Sequence, residues 1–154
     1  EINGTETRSI SDVYGDGKDP AVTHTLQTGE ILTKVLLPKP TPDERASYFR
    51  SISRSRAEWA LVEASVRLVV DDSDTITMAR VAIGGVAHIP MLLPAVNAAL
   101  EGQKATDATF EAAAKIATND ATPLPQTAYK IPLIYGTVLE TLHRAYNRVW
   151  GGEG

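Results

Sequence analysis

The apolar positions change their period partway along the chain, and that change separates two kinds of element. Residues 1–28 are polar and interrupted by Gly15, Gly17 and Pro20, so they read as loop with little core of their own. In Glu30–Leu37 (EILTKVLL), Ile31, Thr33, Val35 and Leu37 recur at every second position, which predicts a strand with one apolar face. Pro38, Pro40 and Pro42 end it, because proline removes a backbone donor and restricts the residue before it. Tyr48–Ser53 predicts a short second strand. Trp59–Val70 predicts a long one: Ala60, Val62, Ala64, Val66, Leu68 and Val70 alternate with Glu63, Ser65 and Arg67. Such alternation belongs to a sheet covered on one side only. Asp71-Asp72-Ser73-Asp74 is a turn signal, and Thr75–Ile83, rich in Thr, Ile and Val, returns as the second arm of an antiparallel hairpin.

After Gly84-Gly85 the period lengthens to 3.6. Pro94–Leu100 predicts a short helix that stops near Gly102. Thr106 and Asp107 open a second helix, on which Phe110, Ala113, Ala114 and Ala117 share a face. Residues 119–125 read as loop. A third helix is expected from Ile131 to Trp150, with Pro132 in its first turn and Gly151 at its end. Tyr135, Val138, Leu139, Leu142, Tyr146 and Val149 form its stripe. Strands first and helices after predict an α+β fold: an antiparallel sheet of three to four strands, followed by three helices packed on one face.

Composition narrows the functions this fold can carry. The chain has 154 residues, 43% of them hydrophobic and 22% charged, enough for a core without disulfide or metal staples. It has no cysteine, which excludes thiol catalysis and iron–sulfur ligation by this chain. A net charge of −4 argues against nucleic acid or an anionic membrane as partner. No apolar run approaches the roughly 20 residues of a membrane span. The first residue is Glu1, and the expectation is a processed chain or a piece of a longer one.

No local motif names a reaction. His24, His88 and His143 lack metal-ligand spacing, so no metal site is expected. Ser51, Ser53 and Ser55 have no evident base, and a turn accounts for the paired Asp71 and Asp72. Gly84-Gly85 falls short of a dinucleotide fingerprint. The remaining feature is the group Arg50, Arg54 and Arg56, suited either to a phosphate or a flavin's electron-rich edge, or to a solvated basic face.

Longer segments carry a resemblance. GEILTKVLLP, then YFRSISRSRAEWA (Tyr48–Ala60), then ARVAIGGVAHIP (Ala79–Pro90), then PLPQTAYKIPL follow one another as in the C-terminal domain of the flavoprotein subunit of molybdenum hydroxylases. That class includes xanthine dehydrogenase, aldehyde oxidoreductase and aerobic carbon monoxide dehydrogenase. TRSISDVY resembles the last turn of the family's FAD-binding domain. The sequence departs at Gln126 or Thr127, where the family has Asp, at Lys130, where it has Arg, and at Met91 and Leu92, where many relatives have Arg.

The resemblance implies residues 1–28 as the tail end of an FAD-binding domain and residues 29–154 as the flavoprotein C-terminal domain, resembling that of CO dehydrogenase. It implies FAD shared with an N-terminal FAD-binding half. It also implies [2Fe–2S] clusters in a small subunit and a molybdenum cofactor in a large one, together a heterotrimer. Electrons would pass from molybdenum through the clusters to the flavin and then to an external acceptor. Carried over by position, Leu32, Arg50 and Trp59 would lie near the isoalloxazine. No residue of this chain is assigned a catalytic role, and the isolated chain is expected to be inactive. A cytoplasmic location is implied, or the periplasm by export with a partner. Two other readings stay open: a stand-alone α+β interaction module without catalytic activity, and an anion-binding domain using Arg50, Arg54 and Arg56.

Overall fold

The computed structural model describes residues 4–52 and 58–147. The chain divides into two compact units, residues 1–39 with 87–89, and residues 40–86 with 90–154.

The first unit is held by polar contacts more than by a core. Helix α1 (Ile10–Tyr14) is a single turn capped by Ser9, whose hydroxyl accepts from the Asp12 N–H at 3.0 Å. It ends at Gly15, whose φ of +75° suits glycine. Thr25 returns to this helix, bonding the Asp12 and Val13 carbonyls. Arg8 bridges Glu6 and Glu30, the latter at 2.6 Å, and Glu30 also accepts from the Gln27 N–H. The loop expected over 1–28 is therefore interrupted by one capped turn.

The strand expected over Glu30–Leu37 does not form. The chain there has no ladder partner among the described residues, and Ile31 and Leu37 are 82% and 84% exposed. A period of two supplies only half of a strand, and pairing must come from another backbone edge.

The second unit carries the sheet. Strands β1 (Arg45–Ser51), β2 (Val62–Val70), β3 (Ile76–Gly84) and β4 (Met91–Leu92) lie in chain order, every neighbour antiparallel. The register places Ser47 opposite Val66 and Val66 opposite Val81. Val62, Ala64, Val66, Leu68, Val81 and Ile83 all turn to the buried face. At the β2–β3 turn, the Asp71 carboxylate accepts from the N–H groups of Ser73 and Thr75. The ladder shifts at Val69/Val70.

Helices α2 (Pro94–Leu100), α3 (Asp107–Ile116) and α4 (Lys130–Asn147) cover the apolar face, with α4 on β1 and β2 and α2 on β3. Phe110 fills the interior edge-on to His143 and Tyr146. Because β4 is only two residues long, much of the β3 edge would stay unpaired. Helix α2 covers it: Asn97 Oδ1 accepts from the Val81 N–H at 2.9 Å, and Glu101 Oε1 accepts from the Ala79 N–H at 3.1 Å.

The α+β sheet with helices on one face stands as the sequence predicts, and the starts of two strands move. β1 starts at Arg45, ahead of Tyr48, because Arg45 reaches across to α4, donating to the Tyr146 carbonyl and stacking over its ring. Ser53, the expected end of that strand, lies outside the described residues. β2 starts at Val62 rather than Trp59: β1 has ended opposite it at Ser51, and β3 turns away at Gly85. Helix α4 is described to Asn147, and the expected end at Trp150 lies outside the described residues.

Candidate functional site

The face of the sheet away from the helices collects the chemistry. On β1, Tyr48 and Arg50 are two residues apart and so share a face, with Glu63 of β2 directly opposite Arg50 and Gly84 of β3 opposite Glu63. Arg50 Nη2 donates to the carbonyl of Glu58, and the next residue is Trp59. The Trp59 side chain is 95% exposed. Beside it the backbones crowd together. Gly85 has φ +75°, and a Cβ there would fall 3.1 Å from the Leu61 carbonyl and 3.2 Å from that of Ala60. Only glycine admits both the conformation and the approach. The Gly85 carbonyl accepts from Lys130 Nζ at 2.5 Å, so the start of α4 is tied to the end of β3. Lys130, at the position where the resemblance led to an Arg, is the cation of this contact. The neighbouring departure, at Gln126 and Thr127, is a turn in which Gln126 has φ +68° and Thr127 bonds the Leu124 carbonyl.

Glu63 lies on Gly84. A Cβ at Gly84 would meet Glu63 Oε1 at 2.5 Å and its Cγ at 2.9 Å. Tyr48 Oη donates to Glu63 Oε2 at 2.5 Å. Partial desolvation first, then the hydrogen bond to Glu63 and its negative charge, push the Tyr48 phenol up to about 12, while Arg50 pulls the other way. More than half of the Tyr48 side chain is exposed, so the bond to Glu63 is the part of this effect that the geometry fixes.

Of the residues singled out from sequence, Arg50 bonds the carbonyl of Glu58, the residue before Trp59, and the Trp59 side chain itself stands in solvent. Leu32 belongs to the first unit, where it is 56% exposed and lies in no strand. Arg54 and Arg56 fall outside the described residues. Among the described residues no three His, Cys, Asp or Glu side chains gather as metal ligands would. Tyr48, Glu63 and Gly84 escaped sequence reasoning as a group. Their signal was the register, since a slip of one residue would have sent Glu63 to the other face. An exposed indole offers a flat face to a planar group, and a guanidinium suits an electron-rich or anionic one.

A four-stranded antiparallel sheet backed by three helices, with this corner at one end of its open face, defines the class. The CO dehydrogenase flavoprotein C-terminal domain family matches residues 47–145, and the chain belongs to that family. The aldehyde oxidoreductase FAD-binding subunit PaoB of Escherichia coli (strain K12) is 32% identical over 144 residues, covering 91% of this chain and 41% of that subunit. The nicotinate dehydrogenase FAD-subunit of Eubacterium barkeri is 21% identical over 155 residues, covering 98% of this chain and 52% of that one. The chain thus spans about half or less of the length of these relatives. The same fold occurs in carbon monoxide dehydrogenase from Hydrogenophaga pseudoflava, with a TM-score of 0.66 at 24% identity over 73% of this chain and 40% of that one. It occurs also in quinoline 2-oxidoreductase from Pseudomonas putida 86, with a TM-score of 0.63 at 21% identity over 71% of this chain and 39% of that one.

Proposed function

We propose that this chain is the C-terminal part of the FAD subunit of a molybdenum hydroxylase-type oxidoreductase, and that its corner at Arg50 and Trp59 covers one side of the flavin ring. One observation carries the reading: in a domain of this family, an indole 95% exposed stands next to the residue whose carbonyl anchors a guanidinium. A large exposed aromatic offers a flat apolar face on which a planar group can stack. The pair fits an isoalloxazine, with a flat apolar face for the ring and a cation for the edge that gains negative charge on reduction. Bound FAD would supply the electron-transfer chemistry. Trp59 excludes water from one face, and Arg50 holds positive charge at the ring's edge. Leu32 is proposed as a third contact, on the resemblance of its segment to the family's.

Residues 1–28 are then the tail of an FAD-binding domain, and the rest of the cofactor is held by an N-terminal FAD-binding half. The proposed partners are an iron–sulfur small subunit, which relays electrons from molybdenum in a large subunit to the flavin, in a heterotrimer. No helix of the described residues is long and apolar enough to cross a membrane, and a cytoplasmic location is proposed from the resemblance.

Arg50→Ala in the FAD-loaded subunit tests this reading. Loss of the cation disfavours the more negatively charged reduced ring, so the flavin potential falls. Trp59→Ala weakens flavin retention. An unchanged potential together with unchanged retention in the two variants contradicts the proposal.

A further inference from the structure

The proposed flavin corner contains a carboxylate that the resemblance does not assign. We infer that Glu63, clamped by Tyr48 and laid on Gly84, is a positioning residue that sets how much of Arg50's positive charge reaches the bound ring.

The inference rests on the flavin reading and deepens it. Glu63 is the direct cross-strand partner of Arg50, and such pairs on one face bring their Cβ atoms to about 5 Å. Two contacts and the strand pairing restrict the carboxylate. Tyr48 Oη binds one oxygen at 2.5 Å. Gly84 has no side chain, and the Glu63 stem occupies that space, its Oε1 2.5 Å from where a Cβ would be. β1 and β3 pair on either side of its strand, with Arg50 and Gly84 opposite Glu63, which fixes the backbone it springs from. The side chain that a solvated glutamate would spread over many rotamers is therefore held across the sheet surface, at the register position opposite Arg50. Arg50 is in turn anchored on the Glu58 carbonyl, one residue before Trp59. A fixed anion next to a fixed cation makes a dipole, and its partial cancellation trims the field that Arg50 alone would exert. Tyr48 keeps the anion in place and, with its phenol pushed up to about 12, stays a neutral donor at ordinary pH.

Two measurements test this. In the chain by itself, the absorbance change on tyrosine ionisation is followed against pH, and the Tyr48 component is isolated by subtracting Tyr48→Phe. Glu63→Gln removes the accepting carboxylate, and the Tyr48 component is expected at lower pH. If that component does not move, the clamp does not exist in solution and the inference fails. In the FAD-loaded subunit, Glu63→Gln is expected to raise the ratio of reduced to oxidised flavin at fixed potential, about threefold for a half-exposed charge. Gly84→Ala retains the charge but lifts the carboxylate from its floor, and is expected to act in the same direction. If Arg50→Ala shifts the potential while Glu63→Gln and Gly84→Ala do not, the inference is overturned and the flavin reading stands. If Arg50→Ala is silent too, both fall.

Discussion

Glu44 shows how a single residue ties the open face of the sheet to the segment that leads into it. Its carboxylate receives both Nε and Nη2 of Arg67, at 2.5 and 2.7 Å, and the Thr41 N–H at 3.0 Å. Two parallel bonds to a guanidinium are stronger than a single contact, and the Glu44 side chain is only 11% exposed. The Arg67 hydrogen bonds, then the Thr41 N–H, hold the Glu44 carboxyl at about 2, against an ordinary value of 4.5. The folded carboxyl binds its proton less readily than the unfolded one, so the unfolded chain takes up protons first as pH falls. The pair's contribution is complete above about 4.5 and is lost as pH drops towards 2. In Glu44→Gln, stability measured by denaturant unfolding falls less steeply between those pH values than in the unsubstituted chain. Equal slopes contradict the assignment. Residues of this kind were half legible: Arg50 stood out as one of a basic group with Arg54 and Arg56. Glu44 and Glu63 stayed hidden because their partners lie across strands, where only the register shows who meets whom.

Helices were the most legible elements, because each carries its own start signal and its own period. The expected Pro94–Leu100 matches α2 residue for residue, and Thr106 caps α3 as its type predicts. The Thr106 hydroxyl accepts from the Thr109 N–H at 3.3 Å, and Asp107 places negative charge in the first turn. Thr106→Ala is expected to lower stability by about 1 kcal/mol, read as a lower denaturation midpoint at unchanged slope. No change would mean that α3 is held by packing of Phe110, Ala113 and Ala114 alone. Strands were less legible, since a strand exists only with a partner. The hairpin of β2 and β3 was found because its two arms are consecutive and joined by a turn rich in aspartate. Glu30–Leu37 has the alternation and lacks the pairing. β4 has the pairing and too few residues to show any alternation.

For the whole molecule, the fold could be read from pattern alone, and the function could not. Periods of 2 and 3.6 carry the α+β class, while no motif in the chain names a reaction. What pointed to a flavin was the order of several long segments, later matched by the family over residues 47–145. The structure added the bond from Arg50 to the carbonyl of Glu58, the residue before Trp59, a feature of three-dimensional placement that spacing cannot show. A domain that covers one side of a cofactor need carry no reactive group, and its residues act by excluding water and setting charge. Supply of this chain with a polypeptide carrying the remaining part of the FAD subunit, with FAD added, tests that claim most directly through the flavin's visible absorbance after gel filtration. The account predicts flavin that co-elutes with a complex of the two polypeptides and is shed when Trp59→Ala replaces the unsubstituted chain. Flavin retained equally without this chain, or no association between the two polypeptides, would contradict it.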